Sequence, residues 1–200
     1  MSHLQHLTTA YPHLSSFLRK VPPLEALKPQ SLPIAEAVTK IVVGQMLSRD
    51  AADSIYSRLT AVRTRRELEG SWKLSEADLL DCGLSRRKVR TIREFAACYE
   101  RDPTKFEVWR TLDCLELRAA VSKHWGLSQW SADMLAIFYF AMPDVFPEKD
   151  GTIVRVRQIL EEHYLPGPLD PELARPFRTF LSRYMWSLLD RGILGSTRTL

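Results

Sequence analysis

LRAAVSKHWGLSQWSADMLAIFYFAMPDVFPEKDGTIVRVR, running from Leu117 to Arg157, is the stretch whose reading settles the fold class. It holds a short helix pattern, a break at Gly126, an almost wholly apolar helix from Gln129 to Ala141, a proline-framed loop, and then Asp150 opening another helix. The apolar residues recur at helical spacing rather than in alternation. A buried helix that leads into a lone carboxylate at a helix mouth holds one acid rigidly, which is what a catalytic group needs. The plain alternative is that Asp150 only caps the helix from Thr152 to Tyr164.

Working outward, the same period governs the rest of the chain. Ile34 to Leu47 carries a broad apolar stripe, and Ser48 is placed to cap a following helix through Ala52, Ile55, Tyr56 and Leu59. Ser75 starts a short helix with acids in its first turn, and Gly83 ends it. Ser85 then caps a helix that turns Val89, Ile92, Phe95, Ala96 and Tyr99 inward and Arg86, Arg87, Lys88, Arg90 and Arg93 outward. His3 to Leu18 reads as a short or broken helix interrupted by Pro12. Residues 21–33, with four prolines, read as an extended connector, and residues 103–112 as a linker with Trp109. A helix from Leu169 to Gly192 closes the chain. No segment shows strand periodicity, so the expected class is all-α.

Two outlines match each other: LLDCGLSRRKVRTI and AVSKHWGLSQWSADML each give Gly-Leu-Ser, two residues, and a helix. A tight turn with outward backbone amides can hold a phosphate chain irrespective of sequence, and cations at a helix start add to that hold. On that reading Ser85, Arg86, Arg87 and Lys88 are candidate backbone contacts, against the alternative of a solvated basic face.

Composition sets the outer bounds. Two hundred residues, 45% of them apolar, can build a core in one medium domain or two small halves. Lys plus Arg is 28 against 24 for Asp plus Glu, a formal charge of +4 that permits a polyanionic partner without demanding one. Cys82, Cys98 and Cys114 include no CxxC pair, which argues against an iron–sulfur or zinc cluster, and their odd number argues against a secreted disulfide framework. No apolar run reaches the length of a membrane span and no signal core follows the start, so an intracellular, non-secreted protein is expected.

Three separated motifs then carry a resemblance. The run WGLSQWSADMLAIFYFAMPDVFPEKD resembles the helix-hairpin-helix plus Gly/Pro/Asp (HhH-GPD) signature of the base-excision DNA glycosylase superfamily, closest to the 3-methyladenine DNA glycosylase II type. VGQMLS at Val43 to Ser48 is similar to its Ile-Val-Gly-Gln segment, and RPFRTFLSRYMW at Arg175 to Trp186 to its closing helix. The resemblance covers about residues 34–192. It implies a single glycosylase unit with two helical lobes and a DNA-binding cleft between them. The central lobe spans about 34–112, and the second is formed by 1–33 with 113–200.

It also implies roles for particular residues. Asp150 aligns with the catalytic aspartate. Trp130 falls where bifunctional relatives place a nucleophilic lysine, implying a monofunctional hydrolase without lyase activity. Trp130, Met134, Tyr184 and Trp186 are the expected base-pocket residues, the aromatics among them attracting a cationic alkylated base by roughly 1 to 2 kcal/mol. Gln45 and Met46 match the wedge that fills the gap left by the extruded nucleotide. His124, Gly126, Leu127, Ser128 and Gln129 match the phosphate-binding hairpin, with Ser128 where the family has its second glycine. The carbonyls of Ser122, His124 and Gly126 match a monovalent sodium or potassium site. The implied activity is excision of 3-methyladenine and 7-methylguanine from double-stranded DNA, by a monomer with no organic cofactor, in a bacterial cytoplasm and nucleoid or a eukaryotic nucleus. The alternatives are a non-catalytic DNA-binding protein and a glycosylase for oxidised or deaminated bases.

Overall fold

Hydroxyl and carboxylate caps start most of the helices. Ser48, Ser75 and Ser85 sit in extended backbone, and each Oγ accepts the N–H three residues on, from Ala51 at 3.4 Å, Asp78 at 3.1 Å and Lys88 at 3.4 Å. Asp113 and Glu116 form a reciprocal capping box, as do Ser2 and Gln5.

The computed structural model describes residues 2–194, and no strand occurs among them. Its helices are α1 (His3–Ala10), α2 (Ser15–Leu18), α3 (Ile34–Gly44), α4 (Arg49–Arg65), α5 (Glu76–Asp81), α6 (Arg86–Arg101), α7 (Thr104–Glu107), α8 (Cys114–Val121), α9 (Gln129–Phe138), α10 (Gly151–His163) and α11 (Arg178–Asp190). Short 3₁₀ turns stand at Pro12–Leu14, Ser71–Lys73, Val108–Arg110 and Pro171–Ala174. No described helix is long and apolar enough to cross a membrane.

Four expected spans change, the helix expected to run to Ala141 ending at Phe138. The closing helix begins at Arg178 rather than Leu169, because Pro171 and Pro176 lack the donors an α-helix needs there. The first long helix stops at Gly44, where Gln45 turns extended and Met46 takes φ +57°. Residues 103–112 form helical turns rather than a linker, since Phe106 and Trp109 are buried against Phe95.

The chain divides into two units, Pro29–Phe140 and Met1–Lys28 with Ala141–Leu200. In the first, α3 is buried on nearly every side and packs against α4, α6 and α9. Its one buried acid, Glu36, accepts the Ser71 N–H at 2.7 Å, the Ser71 hydroxyl at 2.9 Å and the Tyr56 hydroxyl. Burial, with Glu36 as acceptor, pushes the Tyr56 phenol up. In the second unit, α10 and α11 pack together, with α1 and α2 contributing Leu7, Leu14 and Leu18 to their core. Each fully buried leucine stabilises by about 2 kcal/mol.

The observed division differs from the expected one at residues 29–33 and 113–140, which group with the central helices. Here α9 lies on α3 and α8, and Arg118 Nε on α8 pairs with the fully buried Asp133 on α9 at 2.6 Å. Gln30 is tied to the end of α9 by its own N–H to Tyr139 O at 2.8 Å and its amide to Phe138 O at 2.7 Å.

Candidate functional site

Asp150 ends a loop that is bolted to α11. Thr179 Oγ1 donates to Met142 O at 2.6 Å and accepts the Val145 N–H at 3.0 Å, while the Thr179 N–H reaches Pro143 O at 3.1 Å. Arg178 grips Asp144 with two parallel bonds, Nε to Oδ1 at 2.9 Å and Nη2 to Oδ2 at 3.0 Å, and its Nη1 meets Glu172 at 2.6 Å. Burial opposes the Arg178 charge, and Asp144 with Glu172 outweighs it, so the guanidinium pKa is raised. The Asp150 N–H closes the loop onto Pro147 O at 2.9 Å.

The half-buried Asp150 side chain is itself held by two donors on one oxygen. Oδ1 accepts the Ile153 N–H at 3.0 Å and the Trp186 indole N–H at 2.9 Å. The first bond makes Asp150 the N-cap of the 13-residue α10, whose positive end favours an anion. The second bond gives Trp186 a function that the sequence does not reveal: its N–H orients the acid. Tyr184, expected in the base pocket, is instead fully buried in the core of this unit, with its ring 5.9 Å from that of His3. The residue at 184 is inward because the apolar period of α11 places it beside Leu181 and Leu188.

The other predicted residues lie in the unit Pro29–Phe140. The Gly-Leu-Ser recurrence is structural: Gly83 has φ +99° and Gly126 φ +75°, Leu84 and Leu127 are both buried, and Ser85 and Ser128 are both extended. Ser128, at φ −136°, has no need of a glycine. The second turn lies so close to α6 that a Cβ on Gly126 would stand 2.1 Å from Thr91 Oγ1. The Ser128 N–H donates to Ser131 Oγ at 3.3 Å, and the Gln45 amide donates to Gly126 O at 3.1 Å and to Ser131 Oγ at 3.3 Å.

Gln45 and Met46 thus separate: Gln45 is half-buried and bound to the hairpin, whereas Met46 is fully exposed. Lys88 departs from the expected backbone-contact set. Its ammonium donates to Val43 O at 2.8 Å, and burial lowers its pKa. Ser85 Oγ serves as the cap of α6, and Arg86 and Arg87 stay exposed with no ion-pair partner among the described residues. The His124 ring also turns inward, packed by Phe95, Phe106 and Trp109 at centroid distances of 5.1, 5.5 and 5.6 Å, and burial holds its pKa below the usual value. The His124 carbonyl accepts the Leu127 N–H at 3.1 Å and the Gly126 carbonyl accepts the Gln45 amide at 3.1 Å. Trp130 is half-buried on α9, and Met134 is buried. Asp133, hidden in a helix read as apolar, was missed. So was Trp125, exposed beside Gly126 with the Arg90 guanidinium 4.1 Å over its ring.

No family model matches the chain. It is 26% identical over 196 residues to the alkylbase DNA glycosidase-like protein mag2 of Schizosaccharomyces pombe, covering 92% of this chain and 91% of that protein. It is 28% identical over 163 residues to DNA-3-methyladenine glycosylase 1 of the same organism, covering 76% and 70%. Among solved structures, the S. pombe 3-methyladenine DNA glycosylase (Mag1) in complex with abasic DNA superposes with a TM-score of 0.76 at 23% identity, covering 95% of this chain and 97% of that one. A DNA-3-methyladenine glycosidase from Bacillus halodurans gives 0.69 at 21% identity, covering 98% and 90%. The 3-methyladenine DNA-glycosylase of Archaeoglobus fulgidus gives 0.70 at 19%, covering 95% and 69%. At these identities the structural likeness establishes the fold.

Proposed function

We propose that this chain, a member of the helix-hairpin-helix superfamily of DNA glycosylases, hydrolytically releases alkylated purines from duplex DNA, 3-methyladenine first and 7-methylguanine next. The observation that carries this reading is the Asp150 carboxylate, fixed at the mouth of α10 by the Ile153 N–H and the Trp186 indole. An acid held by two donors at a helix start is pre-organised to meet positive charge as it develops.

Extruding a damaged nucleotide costs a few kcal/mol and leaves a hole in the base stack. Met46, unbranched, apolar and fully exposed, is the residue we assign to that hole. The Leu127 and Ser128 amides are used within the hairpin, so the phosphate chain meets the remaining amides of the Gly126 turn, and the matching turn at Gly83, with Arg86 and Arg87, adds a second hold. A monovalent cation on the Ser122, His124 and Gly126 carbonyls would reinforce the first. In the chemical step the bond from C1′ to the purine nitrogen breaks and its electron pair leaves with the base. Alkylation has made that base cationic, so it departs neutral. Asp150 stabilises the positive sugar, and a water that adds to C1′ gives its proton to the carboxylate. Trp130 has no amine to condense with the sugar, so the strand stays intact. Its ring can meet the cationic base at a gain of about 1 to 2 kcal/mol.

The test uses duplexes that each carry one lesion, followed by heating in alkali to cut at abasic sites. Wild type should release both alkylpurines, and Asp150→Asn should lose about a thousand-fold in rate while still binding DNA. Release of no base by wild type would overturn the enzyme reading in favour of a non-catalytic DNA-binding protein.

A further inference from the structure

The turn between α3 and α4 presents Met46 at φ +57°, a left-handed conformation that a non-glycine residue avoids unless something imposes it. Two side chains from distant parts of the same unit bind the backbone and side chain just before it. The last carbonyls of α3 have no partners within the helix. Val42 O takes the Gln45 N–H at 3.3 Å and Gly44 O takes the Leu47 N–H at 3.3 Å. Between them, Val43 O takes the Lys88 ammonium at 2.8 Å. A cation there also meets the negative end of α3. The Lys88 backbone N–H is at the same time capped by Ser85 Oγ, so this residue joins the start of α6 to the end of α3. On the other side of the turn, the Gln45 amide bridges Gly126 O and Ser131 Oγ in the hairpin.

We propose that Lys88 is a positioning residue for Met46, and that together with Gln45 it makes the wedge turn and the phosphate-gripping hairpin one rigid body. The inference rests on the assignment of Met46 as the wedge. It also replaces the simpler idea that Lys88 is one more phosphate contact, since its ammonium is directed into the protein. Without Lys88 the Val43 carbonyl loses its donor, the turn is free to relax out of the left-handed region, and Met46 no longer points where the gap will be.

The test compares Lys88→Met, which keeps the length and removes the charge, with wild type for binding to a duplex holding one abasic site and to the intact duplex, over a range of salt. Wild type should prefer the abasic duplex. Lys88→Met should cut that preference about ten-fold, the scale of one charge-assisted hydrogen bond, with the salt dependence unchanged. In a Met46→Ala background the same substitution should change the preference by no more than about two-fold, because the residue it positions is gone. Gln45→Leu should show the same non-additivity and serves as the variant of record if Lys88→Met does not fold. Equal weakening on both duplexes with a salt slope reduced by about one would mark a phosphate contact and overturn the proposal. So would an additive cycle, or a wild type with no preference. An abasic duplex has no base to release, so the result reads the same whether or not Asp150 proves catalytic.

Discussion

Replacing Gly126 by alanine puts a methyl group where the hairpin lies against α6. The new Cβ would stand 2.1 Å from Thr91 Oγ1, 2.8 Å from its Cγ2 and 3.0 Å from its Cβ. Thr91 is buried and its hydroxyl donates to Arg87 O at 3.0 Å, so rotating the side chain away breaks that bond and still leaves the Cβ contact. Overpacking of this kind costs about 1 to 3 kcal/mol, and the left-handed backbone at φ +75° adds about 1 to 2 kcal/mol. The sum is about 3 kcal/mol. Gly83 is the internal control, with φ +99° and, as its nearest obstacle, Arg58 Nη2 at 3.1 Å, the far end of a flexible side chain. Gly83→Ala should therefore cost only the backbone part, about 1 kcal/mol. Chemical denaturation of the two variants should separate them by about 2 kcal/mol, or about 4 to 8 °C in Tm. Adding Thr91→Ala should recover part of the Gly126→Ala loss, because it removes the two nearest atoms. Equal losses at the two glycines, or no recovery with Thr91→Ala, would refute the close approach as the reason for glycine at 126.

Trp186→Phe keeps an aromatic ring but removes the indole donor to Asp150. A hydrogen bond to a charged group contributes about 1.5 to 3 kcal/mol, so base release should fall roughly ten- to hundred-fold while abasic-DNA binding stays near wild type; an unchanged rate would make Trp186 a stacking wall instead. His124 answers to pH. Burial lowers its pKa from the ordinary 6.5, so the unfolded chain takes up the proton more readily. Its contribution to stability is full above pH 6.5 and is lost as pH falls through the lower folded value. His124→Phe should flatten the acid limb of a stability profile below pH 6.5, leaving the share of His3, which is shifted the same way. An acid limb identical to wild type would refute this.

The amino-acid sequence by itself determined the helical class, the caps at Ser48, Ser75 and Ser85, the two Gly-Leu-Ser turns, and an acid at the mouth of α10. These are relations between residues three or four apart, and their physics is complete within one turn of chain. What Trp186, Lys88 and Gln45 do was not legible. The resemblance implies ligand-facing roles for Trp186 and Gln45, and charge at a helix start suggests one for Lys88, yet each finds a partner inside the protein, across 36, 81 and 45 positions respectively. The same holds for Arg118 with Asp133, and for His124, whose ring is claimed by Phe95, Phe106 and Trp109. A polar or cationic side chain takes the nearest buried acceptor that folding brings to it, and which acceptor arrives is set by how helices pack, a matter that helical periodicity and local spacing do not encode.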